Sequence, residues 1–202
     1  MPVILPLMVY ISAWATFFGL QRRAGKQIAD WREAFLQAAL VCGGLVVAIS
    51  EGLSAFSALS ERPLALLWIL SLACVLIVGW RSRAFSQARA SLREVPWRWP
   101  GIADVLLFSS LAAIVLVLLG VAVVSPPNNT DSLLYHLSRV AHWAQNRGLG
   151  HYPTAYEHQL WMPPWAEMAI LNLRVLWGSD APANLVQWSS MVGSLIGVSG
   201  IA

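Results

Sequence analysis

The side chains able to do chemistry in this chain are gathered in one stretch. All four histidines (His136, His142, His151, His158) fall between residues 125 and 162, with Asp131, Tyr135, Arg139 and Glu157 among them. Four histidines raise the question of zinc. His136 and His142 are six residues apart, so on a helix they project about 120° from one another and cannot share an ion, whereas zinc pairs on one helix sit at i and i+4. His151 and the Glu157-His158 pair come from a segment without helical periodicity. No metal site is expected, and no cofactor. The remaining reactive group is a carboxylate. Asp is ordinarily ionised at neutral pH and can take a proton from a hydroxyl held within hydrogen-bond reach. An Asp before an apolar-periodic run is equally the N-cap of a helix.

That run extends from residue 132 to 146. Leu133, Leu137, Val140 and Ala144 recur at i, i+4, i+7 and i+11, one apolar stripe, while Asp131, Tyr135, Arg139, His142 and Asn146 follow on another face. The spacing predicts a surface helix lying apolar side down. On this reading Arg139 is a solvated or headgroup-paired cation, and Tyr135, Trp143 and Trp161 suit an interfacial aromatic belt. Only seven residues separate Val124 from Asp131, at most about 25 Å of extended chain, which holds the carboxylate near headgroup level. Pro163 and Pro164 then open a helix that reaches Trp177, with Gly178 as its stop. Glu167 and Arg174 make that helix too polar for free exposure to lipid, so it should pack on other helices.

The elements that must position this loop are spans. Of the 202 residues 57% are hydrophobic and 11% charged, with eleven Trp, against about 25% charged in an average soluble domain. Such a chain lacks the polar groups to cover a water-facing surface. Crossing the ~30 Å hydrocarbon core takes about 20 helical residues. Residues 3–20, 34–50 (continuing past Glu51 to 59), 63–80 and 105–124 qualify, and 181–202 is long enough but apolar only in its second half. The fold class is therefore an all-α integral membrane protein, a multi-span helical bundle with a loop carrying a surface helix. Residues 1–104 form an N-terminal block of three spans and basic links; residues 105–202 hold a span, the loop 125–162, the helix 163–177 and a final span.

Basic residues orient the spans. Arg22, Arg23, Lys26 and Arg32 follow the first, and Arg81, Arg83, Arg89, Arg93 and Arg98 follow the third. Both clusters face the cytoplasm only if the N-terminus is outside, which makes the loop extracytoplasmic. The formal charge of +3 reflects these clusters and implies no nucleic-acid partner. Basic residues that follow the first apolar run, rather than precede it, argue against a cleaved signal peptide. Cys42 and Cys74 both lie within apolar runs and supply no disulfide framework.

In order, a strong span, then Pro-Pro-Asn-Asn-Thr-Asp131-Ser-Leu-Leu-Tyr135, a surface helix, His-Tyr-Pro-Thr and Met-Pro163-Pro164-Trp-Ala-Glu occupy residues 105–202. This half of the chain resembles the GT-C membrane glycosyltransferases, in particular the bacterial branch related to protein mannosyltransferases and lipid A aminoarabinose transferases. The resemblance implies a bacterial inner-membrane enzyme. It would move a sugar, with inversion, from a polyprenyl-phosphate donor to a hydroxyl of a lipid or glycan acceptor on the extracytoplasmic face, among membrane lipids. It places Asp131 as the catalytic acid residue, Tyr135 as the tyrosine that follows it, and Pro163 and Pro164 as the paired prolines near the substrate. Ser132 stands where relatives carry a second acidic residue, and Met162 where many carry Lys. Arg139, His142 or His158 would then supply the missing phosphate contact. Relatives continue with many more spans, which implies that this chain is an N-terminal fragment, inactive alone. The alternative is a non-enzymatic transport or assembly subunit whose loop binds lipid or a partner.

Overall fold

The computed structural model describes residues 2–24, 29–93 and 100–201; Lys26, Arg98 and Ala202 lie outside them. Among the described residues all regular structure is helical. Four helices are long and apolar enough to cross a membrane: α1 (Ile4–Arg23), α2 (Trp31–Ser54), α3 (Glu61–Arg81) and α5 (Ile102–Val124). These are the four uninterrupted apolar stretches of the sequence, each within a few residues of the expected limits. Their starts follow local rules. Asp30 caps α2, its Oδ1 accepting from the Arg32 N–H at 2.8 Å, and Asp104 Oδ2 accepts from the Gly101 N–H ahead of α5 at 3.1 Å. At the end of α5, Pro126 and Pro127 supply no amide hydrogen to continue the ladder. The fifth stretch forms α9 (Asn184–Ile201).

Gln21 is hydrogen-bonded to Asp30, and Arg23 donates to the Ser82 carbonyl, so the ends of α1 and α3 meet near the start of α2. A short helix, α4 (Ala84–Arg93), folds back onto α1 there, burying Ala84, Ala88 and Ser91. Gly19 permits this approach, because a Cβ at that position would lie 1.9 Å from the Ala84 carbonyl oxygen. The charged link after the third span was expected only as a connection. Its residues 84–93 form a packed helix instead, seated where Gly19 of α1 carries no side chain.

At the other end lie the loop and its helices, α6 (Leu137–Asn146), the single turn α7 (His158–Trp161) and α8 (Trp165–Trp177). As expected from its polar residues, α8 packs inward, against α2, α3 and α6. The core is shared across the chain: Val9, Leu53, Leu64 and Trp68 meet Val140, Trp143, Met168 and Leu171 in one cluster. A buried polar chain crosses it, Trp68 Nε1 donating to Asn172 Oδ1 at 3.0 Å and Asn172 Nδ2 to Ser50 Oγ at 2.8 Å. Each of these groups has a partner, as a site far from water requires. The loop is pinned to the α2–α3 turn by Leu149 N–H donating to Ser54 Oγ and Leu59 N–H donating to the Arg147 carbonyl.

The helix α5 stands apart. It touches α9, which is tied to it by Trp188 Nε1 donating to the Val115 carbonyl and Asn184 Nδ2 to that of Ser125. Of its 23 residues only Ala122 is buried. An apolar helix bare on nearly every side matches a hydrocarbon environment rather than water.

Candidate functional site

The start of the loop helix decides where Asp131 points. Asn129 takes the cap position, its Oδ1 accepting from the Ser132 N–H at 2.8 Å. Asp131 already has helical backbone angles and its side chain makes no cap hydrogen bond. The capping reading of Asp131 is thereby corrected. Asn129 offers the same acceptor two residues earlier, and the Asp131 carboxylate stays exposed.

The next residues depart from the 3.6 period. Ser132–His136 form a π-turn, with the Leu137 N–H reaching back five residues to the Ser132 carbonyl. One residue more per turn rotates everything after it relative to what precedes it. Leu133 is consequently 55% exposed, and the inward face of α6 carries Arg139, Val140 and Trp143. The apolar stripe read from the sequence is broken at this point. Arg139 is not the solvated cation expected but 1% exposed, and Trp143 belongs to the core at 6% rather than to an interfacial belt.

Arg139 is fully engaged. Its guanidinium donates to the carbonyls of Gln159 (2.5 Å), Met162 (2.9 Å) and His158 (3.0 Å) and to Glu167 Oε1 (3.1 Å). It also lies over the Trp143 ring at 5.4 Å. A planar donor fork suits this bridging of a helix, a loop turn and a neighbouring helix. Glu167, wholly buried in the first turn of α8, also meets His136 Nδ1 through Oε1 at 3.1 Å. A carboxylate only accepts, so this contact assigns the hydrogen to Nδ1 and leaves Nε2 for other partners. Glu167 Oε2 is enclosed without a hydrogen-bond partner among the described residues.

His136 closes one wall of a cleft of about 650 Å³ between the loop helix, α8 and the start of α9. Asp131 stands at its rim, and Trp165, Asn184, Gln187 and Ser190 line the rest. The cleft thus joins one carboxylate, one imidazole, neutral amides and hydroxyls, and an indole. Among the described residues no Lys or Arg lines it. Its chemistry suits a neutral polyhydroxylated ligand beside a group that accepts protons.

Of the other residues singled out from the sequence, none lines the cleft. Tyr135 is half-buried beside the His136 ring, with 4.0 Å between ring centres. Burial pushes its phenol above the ordinary range, and the Asp131, Glu167 and Tyr156 charges add to this while Arg139 opposes it. His142 stacks on Tyr152 at 3.9 Å, and His158 on Tyr156 at 5.0 Å. Pro163 and Pro164 are exposed before α8. The imidazoles are separated by these stacks, and among the described residues no group of three or more His, Cys, Asp or Glu could hold a metal ion.

Two residues of the site were not singled out as functional by sequence reasoning, His136 and Glu167. A signal existed for both: His136 and Arg139 share a helix face at i and i+3, and Glu167 is the one acid of its helix. Comparison with protein-family models, with curated proteins and with solved structures found no match.

Proposed function

We propose that the chain is the substrate-facing part of a bacterial inner-membrane glycosyltransferase that uses a polyprenyl-phosphate sugar. The basic helix ends then face the cytoplasm and the cleft opens on the extracytoplasmic side. The observation that carries the reading is the Asp131 carboxylate, relieved of capping by Asn129 and standing at the rim of a cleft with His136. The cleft lies by the C-terminal end of α5, beside the bare apolar surface against which a polyprenyl chain would lie.

In the reaction, Asp131 accepts the proton of the acceptor hydroxyl as its oxygen attacks the anomeric carbon. The bond from that carbon to the lipid phosphate breaks, and the phosphate departs with the electron pair. One displacement inverts the anomeric centre. Trp165 offers a face for the sugar ring, and Asn184, Gln187 and Ser190 offer hydrogen bonds to its hydroxyls, which orients the ring without a charge. The acceptor is a lipid or glycan hydroxyl.

The bareness of α5 favours a second reading, a non-enzymatic transport or assembly subunit whose loop binds lipid or a partner. One comparison separates the two. Asp131→Asn keeps the shape and removes the base, while Asp131→Glu keeps the charge one methylene further out. Transfer from a panel of polyprenyl-phosphate sugars is measured in membranes expressing the native gene product, at matched abundance. The transferase reading expects a fall of about 10²–10⁴-fold for Asn and partial retention for Glu. Near wild-type turnover by the Asn variant overturns the role of Asp131. An assembly subunit would instead transfer no sugar in any form and would respond to loss of the exposed Trp161 indole.

A further inference from the structure

The end of the bundle remote from the cleft carries a second concavity. Arg23 ends α1, Arg81 ends α3 and Arg83 precedes α4. With Ser82 and Gln87 they line a cleft of about 270 Å³, and among the described residues no carboxylate lines it. Three arginines, from the end of α1, the end of α3 and the turn before α4, therefore line one concavity. Among the described residues no ion pair involves any of them; the pairs present are Arg32–Asp30, Arg139–Glu167, Arg174–Asp180 and His136–Glu167. Arg23 donates to an uncharged acceptor there, the Ser82 carbonyl, at 3.2 Å.

A membrane topology signal needs only a count of basic residues near the span ends, and spreading them apart would minimise their repulsion. Here the fold does the opposite. The α4 helix is held against α1 at Gly19, where any Cβ would collide with the Ala84 carbonyl, and Phe85 fills the space above Gly79. Arg83 adopts a left-handed φ of 55°, a conformation that disfavours a side chain and that glycine would adopt freely. The turn nonetheless carries a guanidinium, beside the two span ends.

We propose that Arg23, Arg81 and Arg83 form a phosphate-binding site, and that its ligand is the phosphodiester headgroup of an anionic membrane lipid. Guanidinium forks match phosphate oxygens in pairs. The volume exceeds a bare phosphate and leaves room for an attached glycerol. Because two of the three arginines are the last residues of spans, the cleft sits at headgroup depth, where a diester arrives with its acyl chains already in the bilayer. The proposal rests on the membrane reading of α1 and α3 and is independent of the transferase reading.

The test uses the detergent-purified full chain and native mass spectrometry, counting retained phosphatidylglycerol against phosphatidylcholine. A basic residue at an anionic surface changes affinity by roughly fivefold, so Arg23→Gln, Arg81→Gln and Arg83→Gln together should weaken phosphatidylglycerol retention on the order of a hundredfold. Phosphatidylcholine should be unaffected. Arg89→Gln with Arg93→Gln, on the adjoining α4 but outside the cleft, should change retention little. An equal loss in that control would reduce the effect to diffuse charge and overturn the site. Wild-type retention by the triple variant would overturn it too. If the triple variant does not fold, the single replacements carry the test, each expected to weaken retention roughly fivefold. Inorganic phosphate separates the sources: if it displaces the lipid at millimolar concentration with the same arginine dependence, the site serves a soluble anion and the lipid assignment fails.

Discussion

Replacing Glu167 by Gln should loosen the loop that holds the cleft. The Glu167 and Arg139 side chains are 0% and 1% exposed and 3.1 Å apart, so the substitution leaves a guanidinium in the interior without a counter-charge. Removing one partner of a buried pair costs about 3–5 kcal/mol. Arg139 keeps three carbonyl acceptors, at Gln159, Met162 and His158, which solvate part of its charge and place the loss near the lower end. The new amide adds a conflict. If its NH₂ faces Arg139, two donors oppose each other; if it takes the place of Oε2, it enters an enclosure where that atom has no hydrogen-bond partner among the described residues. A net loss of about 3 kcal/mol raises the opening equilibrium on the order of 150-fold. Amide hydrogen exchange in peptides covering α6 and residues 157–164 reads this directly, because local opening sets the exchange rate of protected amides. Replacing both partners, Arg139→Met with Glu167→Leu, should recover most of the protection, since apolar pairs of similar volume often substitute for a buried ion pair without loss. Exchange in the Glu167→Gln protein within about threefold of wild type, an opening change below about 1 kcal/mol, would refute the account of this pair.

Two further outcomes follow from the geometry. On a background lacking Cys42 and Cys74, a cysteine at Gly150 should react with a membrane-impermeant thiol reagent in intact cells and one at Gln87 should not; the reverse pattern would invert the orientation and remove the loop from the extracytoplasmic face. Tyr135 should ionise above the ordinary phenol value of about 10, as the difference in phenolate absorbance between wild type and Tyr135→Phe would show. Its folded-state pKa is raised, so the stability contributed by the neutral phenol is present below that ordinary value and lost as pH rises through the folded one. Asp131→Asn should bring the titration back toward the ordinary value, and no movement would show that the carboxylate does not face this ring.

What could be read from residue order alone depends on interactions within about one helical turn. Four helices long and apolar enough to cross a membrane followed from uninterrupted apolar length, because burial in hydrocarbon requires both length and internally paired backbone. The ends of α5 and α8 followed from Pro126-Pro127 and from Gly178, which takes a left-handed φ of 90°. The inward packing of α8 followed from Glu167 and Arg174. The loop was recognisable as the place of chemistry from its concentration of ionisable residues, and Asp131 does reach a cleft. Its neighbours could not be read this way. A π-turn at Ser132–His136 shifts the helical phase by one residue, and periodic reasoning carries no term for it. Arg139 became a buried strut, and not a surface cation, because Glu167 and three loop carbonyls lie across from it, partners 19 to 28 residues away in sequence. His136 acquired its place from the same carboxylate. The convergence of Arg23, Arg81 and Arg83 depends on α4 folding back over Gly19, a contact between segments some 65 residues apart. Local sequence sets which segments are helical and apolar, since those preferences act residue by residue. Which charged groups become buried, paired or assembled is decided only when distant segments compete for the same contact.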